Sequence, residues 1–183
     1  MLTPDGQVSG RYNKVKLVPL GEYLPFEKTL KKLLGPLLPW NGLAPGNSDQ
    51  QLQTPFGPMA VGICYESAFT ELFRQQINRG AQAIFTASNN DPYPPRQMMQ
   101  HHAQDVMRAV ETDRWAVRVT NTGISGVVDP RGRTQWITEP HQQVSHNATI
   151  YKRQTLTPYV RWGDWLTPLL LGLSAISLYR QNP

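Results

Sequence analysis

The chain of 183 residues contains a single cysteine, Cys64, so no intramolecular disulfide forms and cysteine usage does not indicate a compartment. Long hydrophobic runs are missing as well. The uncharged, largely apolar stretch Trp165–Tyr179 falls short of the roughly 18–20 apolar residues of a spanning helix. No Arg/Lys–aromatic interleaving of the kind that tracks a nucleic-acid strand occurs, which argues against a nucleic-acid partner. Internal repeats and low-complexity tracts are lacking too. The start, Met1 to Gly6, has neither the basic nor the apolar region of a signal peptide. Its Pro4-Asp5-Gly6 is a hairpin-type turn with almost no strand before it, so the chain reads as beginning inside a domain.

What is present is ordinary for one domain with a sizeable core: 39% hydrophobic residues and a net charge of +5. The positive charge is scattered, with its densest groups at Lys28/Lys31/Lys32 and Arg131/Arg133, and points weakly to an anionic membrane surface. The pattern alternates. Val15–Pro19 is a short strand-like apolar stretch, and Pro25–Leu38 is a weaker segment broken by Gly35-Pro36. Trp40–Ser48 is loop, and Met59–Ile63 is a buried strand. Ser67–Arg79 reads as a helix stopped at Asn78-Arg79-Gly80, and Ala81–Ala87 as a second strand. Pro95–Arg114 reads as a long helix with Met99, Ala103, Val106 and Val110 on one stripe. Strand pairs follow in Trp115–Thr120, Ile124–Val128 and Thr134–Ile137. Strand–helix alternation followed by strand pairs indicates a layered α/β domain. The Trp165–Tyr179 stretch is apolar around most of its circumference and flanked by Trp162, Trp165 and Tyr179. It reads as a membrane helix, or else as a terminal helix packed on the domain's own core.

Cys64 ends the string Met59-Ala-Val-Gly-Ile-Cys-Tyr-Glu66. A thiol at the carboxyl tip of a buried strand is a candidate nucleophile, since open α/β sheets place their chemistry there. Equally, most free cysteines are small buried hydrophobes. Lys14, at the head of the Val15–Pro19 run, would favour a thiolate and stabilise an oxyanion, and a carboxylate such as Glu22 would keep it charged and oriented. The same residues also fit a solvated strand and a surface acid. His101-His102 fall on different helix faces and make a poor metal site. His141 and His146 sit in a polar loop and read as solvated. Met98, Met99 and Met107 read as core, and Asn147-Ala-Thr149 is a sequon by pattern only.

The strings YNKVKLVPLGEYLPF and VGICYE, in this order and about fifty residues apart, resemble the apolipoprotein N-acyltransferases. These are a membrane-bound branch of the nitrilase (carbon–nitrogen hydrolase) superfamily. ASNN ending at Asn90, the stretch RAVETDRWAVRVTNTGISGVVDPRG and the closing LTPYVRWGDW fit the same family. The resemblance implies an αββα sandwich, incomplete at its N-terminus, over residues 1–158. A C-terminal transmembrane helix with its flanks would occupy 159–183. It implies Cys64 as nucleophile, Lys14 as the triad lysine, Glu22 and Glu66 as further acids of the pocket, and Tyr65 as the residue whose backbone N–H assists the oxyanion. No cofactor and no metal are implied. The partners implied are a phospholipid acyl donor, a diacylglyceryl-lipoprotein acceptor and the bacterial inner membrane, with the catalytic domain on its extracytoplasmic face. The family's general-base glutamate lies upstream of the lysine motif, so this chain corresponds to a C-terminal portion. Two other readings stand beside this one: a soluble nitrilase-type amidase, and a non-catalytic fragment that binds lipid or lipoprotein.

Overall fold

A computed structural model of the chain describes Met1, residues 5–34 and residues 42–181. Pro4 of the expected turn, the Gly35-Pro36 break with the residues up to Leu38, and Trp40 and Asn41 lie outside the described residues. Helix α1 (Glu27–Leu34) comes first. It is followed by strands β1 (Leu52–Thr54) and β2 (Gly57–Ile63), then by a short 3-10 turn, Cys64–Ala68. Next are α2 (Thr70–Asn78), β3 (Ile84–Ser88), α3 (Pro95–Thr112) and β4 (Ala116–Thr120). The chain closes with β5 (Gly126–Val128), β6 (Thr134–Ile137), α4 (Pro158–Trp162) and α5 (Leu166–Gln181).

The strands form one mixed sheet in sequence order. β2, β3 and β4 run parallel at its centre, with Ala60 opposite Ile84 and Ile84 opposite Ala116. β1, β5 and β6 pair antiparallel at the flanks. A parallel pair needs a crossover, and α2 and α3 supply the two. They pack on each other, on α4 and on the same face of the sheet. Side chains alternate along a strand, so Ala60, Ile84, Ala116 and Val128 point towards the helices. There they meet Leu72, Phe73 and Ile77 of α2, Ala109 of α3 and Val160 of α4 to form the core. Gly62 shares that face because nothing larger fits: a Cβ there would lie 2.4 Å from the Phe73 ring. Parallel strands therefore bring the carboxyl ends of β2 and β3 to one edge.

Several expectations change. Val15–Pro19 forms no strand, because the Val15 and Lys16 N–H groups donate to the Glu66 side chain instead of to a neighbouring strand. α2 begins at Thr70, since Ser67 and Ala68 belong to the 3-10 turn. On α3 most of the apolar stripe is turned outward: Met99, Val110 and also Met107 are about half exposed and Ala103 is exposed, with Val106 alone of the stripe packed against the core, while Met98, His101, His102, Asp105, Arg108, Ala109 and Thr112 are buried. Met99 and Met107 are thus not core. The buried face of this helix is polar because it packs over a buried ion pair of α3 and β4, Asp105 with Arg118. His146 is not simply solvated, since its ring stacks on Trp136 at 4.3 Å.

The C-terminal expectation also changes. Residues 166–181 form a helix, as expected, with Pro168 in its first turn, but it has 16 residues. At about 1.5 Å per residue it falls short of the roughly 30 Å hydrocarbon core. Among the described residues no helix is long and apolar enough to cross a membrane. Nor does α5 pack on the domain's core: Leu169, Leu170, Leu171, Leu173, Ile176 and Leu178 are all exposed.

Gly62→Ala is expected to destabilise the domain by about 1–3 kcal/mol through overpacking against Phe73. A lowered denaturant midpoint at unchanged slope checks this.

Candidate active site

β2 delivers Cys64 to the edge of the sheet, where the chain turns sharply. Cys64 has φ of +54°, a left-handed conformation rare for a residue with a Cβ. Such a conformation costs about 1–3 kcal/mol and persists only where the surroundings over-determine it. The thiol is 8% exposed and points at the Asn89 carbonyl, 3.9 Å away at the carboxyl end of β3.

Glu66 is the main constraint on that turn. It is completely buried, and both carboxylate oxygens are engaged. Oε1 accepts the N–H groups of Val15 at 2.6 Å and Lys16 at 2.9 Å. Oε2 accepts the N–H of Ile63 at 2.7 Å and the hydroxyl of Tyr12 at 3.1 Å. A charged group this deeply buried is tolerated only with such a full set of donors. Tyr12 is affected in turn: burial foremost, then the Glu66 charge and hydrogen bond, raise its phenol far above the ordinary range.

These bonds bring the segment around Lys14 against the Cys64 turn. The Lys14 ammonium pairs with Glu22 Oε1 at 2.6 Å, and the lysine side chain is only 9% exposed. Glu22 Oε2 accepts the Val18 N–H at 2.9 Å, so the acid is fixed by its own loop. Residues 43–46 brace the pair from outside, with Leu43 N–H donating to the Glu22 carbonyl and Gly46 N–H to the Lys14 carbonyl, both at 2.8 Å. The structure therefore gathers Lys14, Glu22, Cys64, Tyr65 and Glu66 around one turn. It gives the two acids different surroundings: Glu22 faces the lysine, and Glu66 faces backbone.

Sequence reasoning did not single out Tyr93. It lies between β3 and α3, positioned by its N–H to the Asn90 carbonyl at 2.9 Å and an edge-on contact with His101 at 5.4 Å. Burial first, then the nearby Cys64 sulfur and the Glu22 charge raise its phenol above the ordinary range. Asn89 and Asn90 are tied to Asn121 at the end of β4 by bonds of 2.7 and 3.0 Å. The signal for this group was positional, because Asn89-Asn90 follows β3 just as Cys64 follows β2. His101 bonds Asn90 at 2.9 Å and His102 bonds Thr134 at 2.8 Å. Burial holds both imidazoles below their ordinary range. Among the described residues no group of three or more His, Cys, Asp or Glu is placed to hold a metal ion.

Next to the turn lies a cavity of about 500 Å³, lined by Val15, Lys16, Leu17, Pro19, Tyr23, Glu27, Leu43, Pro45, Tyr65 and Phe69. Its walls are largely apolar. Tyr65 and Phe69 meet edge to face at 4.9 Å, and the Lys16 ammonium lies 5.5 Å from the Phe69 ring centre. A thiol on a strained turn, a buried lysine with its own counter-ion and an adjoining apolar cavity suit nucleophilic attack on an acyl carbon.

Comparison with known proteins identifies the family. The carbon–nitrogen hydrolase model matches residues 1–151. The apolipoprotein N-acyltransferase of Nostoc sp. is 54% identical over 170 residues, covering 92% of this chain and 34% of that protein. The protein of the same name from Synechocystis sp. is 51% identical over 180 residues, covering 97% of this chain and 35% of its own length. The chain thus spans about a third of the length of the curated relatives it matches. Among solved structures, Saccharomyces cerevisiae Nit3, of the nitrilase superfamily, aligns with a TM-score of 0.50 at 26% identity, covering 68% of this chain and 48% of that one. The Caenorhabditis elegans NitFhit protein aligns at 0.57 and 24% identity, a likeness of fold, over 76% of this chain and 34% of its own. Because the matched residues include the whole sheet and every side chain gathered around the thiol, this chain belongs to the carbon–nitrogen hydrolase family.

Proposed function

We propose that the chain is the thiol-bearing part of an apolipoprotein N-acyltransferase. The observation that carries this reading is that Glu66 docks the segment bearing the Lys14–Glu22 pair on the strained turn that displays Cys64, next to an apolar cavity. Relatives bearing that name, at 51–54% identity, support it.

In this reading the Cys64 thiolate attacks an acyl-ester carbonyl of a phospholipid. The Lys14 ammonium and the Tyr65 backbone N–H stabilise the oxyanion. The tetrahedral intermediate collapses to a Cys64 thioester, and the lysophospholipid alcohol leaves with the proton taken from the thiol. The free α-amino group of a diacylglyceryl lipoprotein then attacks the thioester. An amide forms, the amine loses its proton to the base, and the thiolate is regenerated. By the family resemblance the proton acceptor would be a glutamate upstream of the lysine motif; no glutamate precedes Lys14 in this sequence. Neither acid at the turn is free to serve as that base, since Glu22 is engaged by Lys14 and Val18, and Glu66 by its buried donors. Losing a general base typically costs about 10²–10⁴-fold in rate.

The same reading assigns the rest of the molecule. The sheet face away from the helices exposes Val119 and would meet the second sheet of an αββα sandwich. The membrane contact, at the extracytoplasmic face of a bacterial inner membrane, falls to the exposed apolar circumference of α5.

With a phospholipid carrying a labelled acyl chain, the full-length protein is expected to take up label that hydroxylamine releases, and Cys64→Ala to take up none. Label retained by Cys64→Ala excludes Cys64 as the nucleophile. Label lost to water as free fatty acid, even with an N-terminal diacylglyceryl-cysteine peptide present, favours the hydrolase reading. Lys14→Ala is expected to lower turnover by about 10²–10³-fold, the worth of one oxyanion donor. Its thermal midpoint should change little, and full activity in this variant excludes the oxyanion role. Flotation with phospholipid vesicles is expected to fail once Leu170, Leu171 and Leu173 are replaced by Ser; unchanged flotation removes α5 as the membrane contact.

A further inference from the structure

Beneath the Cys64 turn lies a polar cluster that the proposed chemistry does not use. Arg118 of β4 and Asp105 of α3 form an ion pair through the guanidinium Nε, with side chains 1% and 2% exposed. Both reach the same residue of the turn, Ser67, three positions after the thiol and completely buried. Ser67 Oγ donates to Asp105 Oδ1 at 2.9 Å and accepts from Arg118 Nη2 at 2.7 Å. The Ser67 carbonyl accepts from Arg108 Nη1 at 2.9 Å. The ion pair is tied to the sheet as well: Thr86 Oγ1 donates to Asp105 Oδ2 at 3.2 Å, and Arg118 Nη1 donates to Ser88 Oγ. Arg118 Nη2 also reaches the His101 carbonyl at 3.3 Å.

A buried ion pair is a poor way to gain stability, since apolar residues of similar volume often do as well or better. Here α3 leaves Met99, Met107 and Val110 in solvent while burying Asp105 and Arg108 under the turn. The arrangement makes sense as a means of fixing geometry. Cys64 is held at φ +54°, a conformation that relaxes unless its neighbours forbid it. Glu66 holds the turn on the side of residues 12–16, and Ser67 is its anchor on the α3 side.

We propose that Asp105 and Arg118, acting through Ser67, are positioning residues that hold Cys64 in its reactive conformation. They do so by clamping the strained turn to α3 and β4. The proposal builds on Cys64 being the nucleophile, yet its geometric content concerns only the accessibility and orientation of the thiol.

The test is alkylation of Cys64 by iodoacetamide in the full-length protein, followed across about pH 6 to 9, the range around an ordinary thiol pKa. Ser67→Ala is expected to lower the alkylation rate constant by about tenfold at its plateau, or to displace its pH midpoint. Ser67→Thr, which keeps the hydroxyl, is expected to retain most of the rate. Thr86→Val removes a different hydrogen bond to Asp105 without touching the turn, and its profile should match the wild type even if its thermal midpoint falls. The proposal is overturned if Ser67→Ala, folded by circular dichroism, alkylates like the wild type, or if Thr86→Val moves the profile as far. Should Ser67→Ala fail to fold, Arg108→Lys, which loses the bond to the Ser67 carbonyl, carries the same expectation and the same refutation. A changed profile together with a wild type that forms no acyl-enzyme would uphold the clamp and sink the acyltransferase reading. The reverse pattern would sink the clamp alone.

Discussion

The carboxylate of Glu66 receives hydrogen bonds from two parts of the chain that are about fifty residues apart, and the geometry of the site follows from that junction. Ile63 belongs to the end of β2, while Tyr12, Val15 and Lys16 belong to a segment with no regular structure of its own. An irregular segment has backbone groups that need partners, and a buried carboxylate has lone pairs that need donors. Each satisfies the other. The result is that Lys14, one residue before the bonded N–H groups, is brought up to the turn that starts at Cys64. Without this exchange the segment would not dock on the turn and the charge could not be buried.

The sheet supplies the rigid frame for the junction. Parallel pairing of β2, β3 and β4 aligns their carboxyl ends, so Cys64, Asn89 and Asn121 emerge at one edge. Tight helix packing on one face then leaves little freedom below that edge, as the Gly62–Phe73 contact illustrates. The apolar core lies deeper, around Phe73, Ile77 and Ile84, and the layer nearest the thiol is polar. This division separates two roles. Apolar burial stabilises the domain, whereas directional hydrogen bonds to charged groups fix the orientation of a few side chains.

The electrostatic layout around the thiol is divided in the same way. Glu22 is partly open and faces Lys14, so its charge is directed at the ammonium. Glu66 is closed off and faces main-chain donors. Tyr93 stands near Cys64 and Glu22 and registers both in its raised phenol. Two acids that look alike in the sequence therefore do different work, decided by what surrounds each.

The sequence by itself determined the parts of the molecule that depend on local pattern. The apolar run Met59–Ile63, the Asn78-Arg79-Gly80 stop and the Pro95 helix start are all governed by near neighbours, and each lies where the pattern puts it. Cys64 at the tip of a strand was legible for the same reason, whereas local pattern left Lys14 and Glu22 open between site and surface and only the family resemblance singled them out. What local pattern does not contain is the partner of a distant group. The Val15–Pro19 run resembles a strand, yet its N–H groups go to Glu66. The apolar stripe of α3 resembles a core face, yet that helix buries Asp105 because Arg118 comes from another strand. An apolar stretch near the C-terminus forms a helix, but its length falls short of a bilayer. Those outcomes belong to tertiary structure, because the free energy of a buried charge or an unpaired backbone group depends on what is brought against it from elsewhere in the chain.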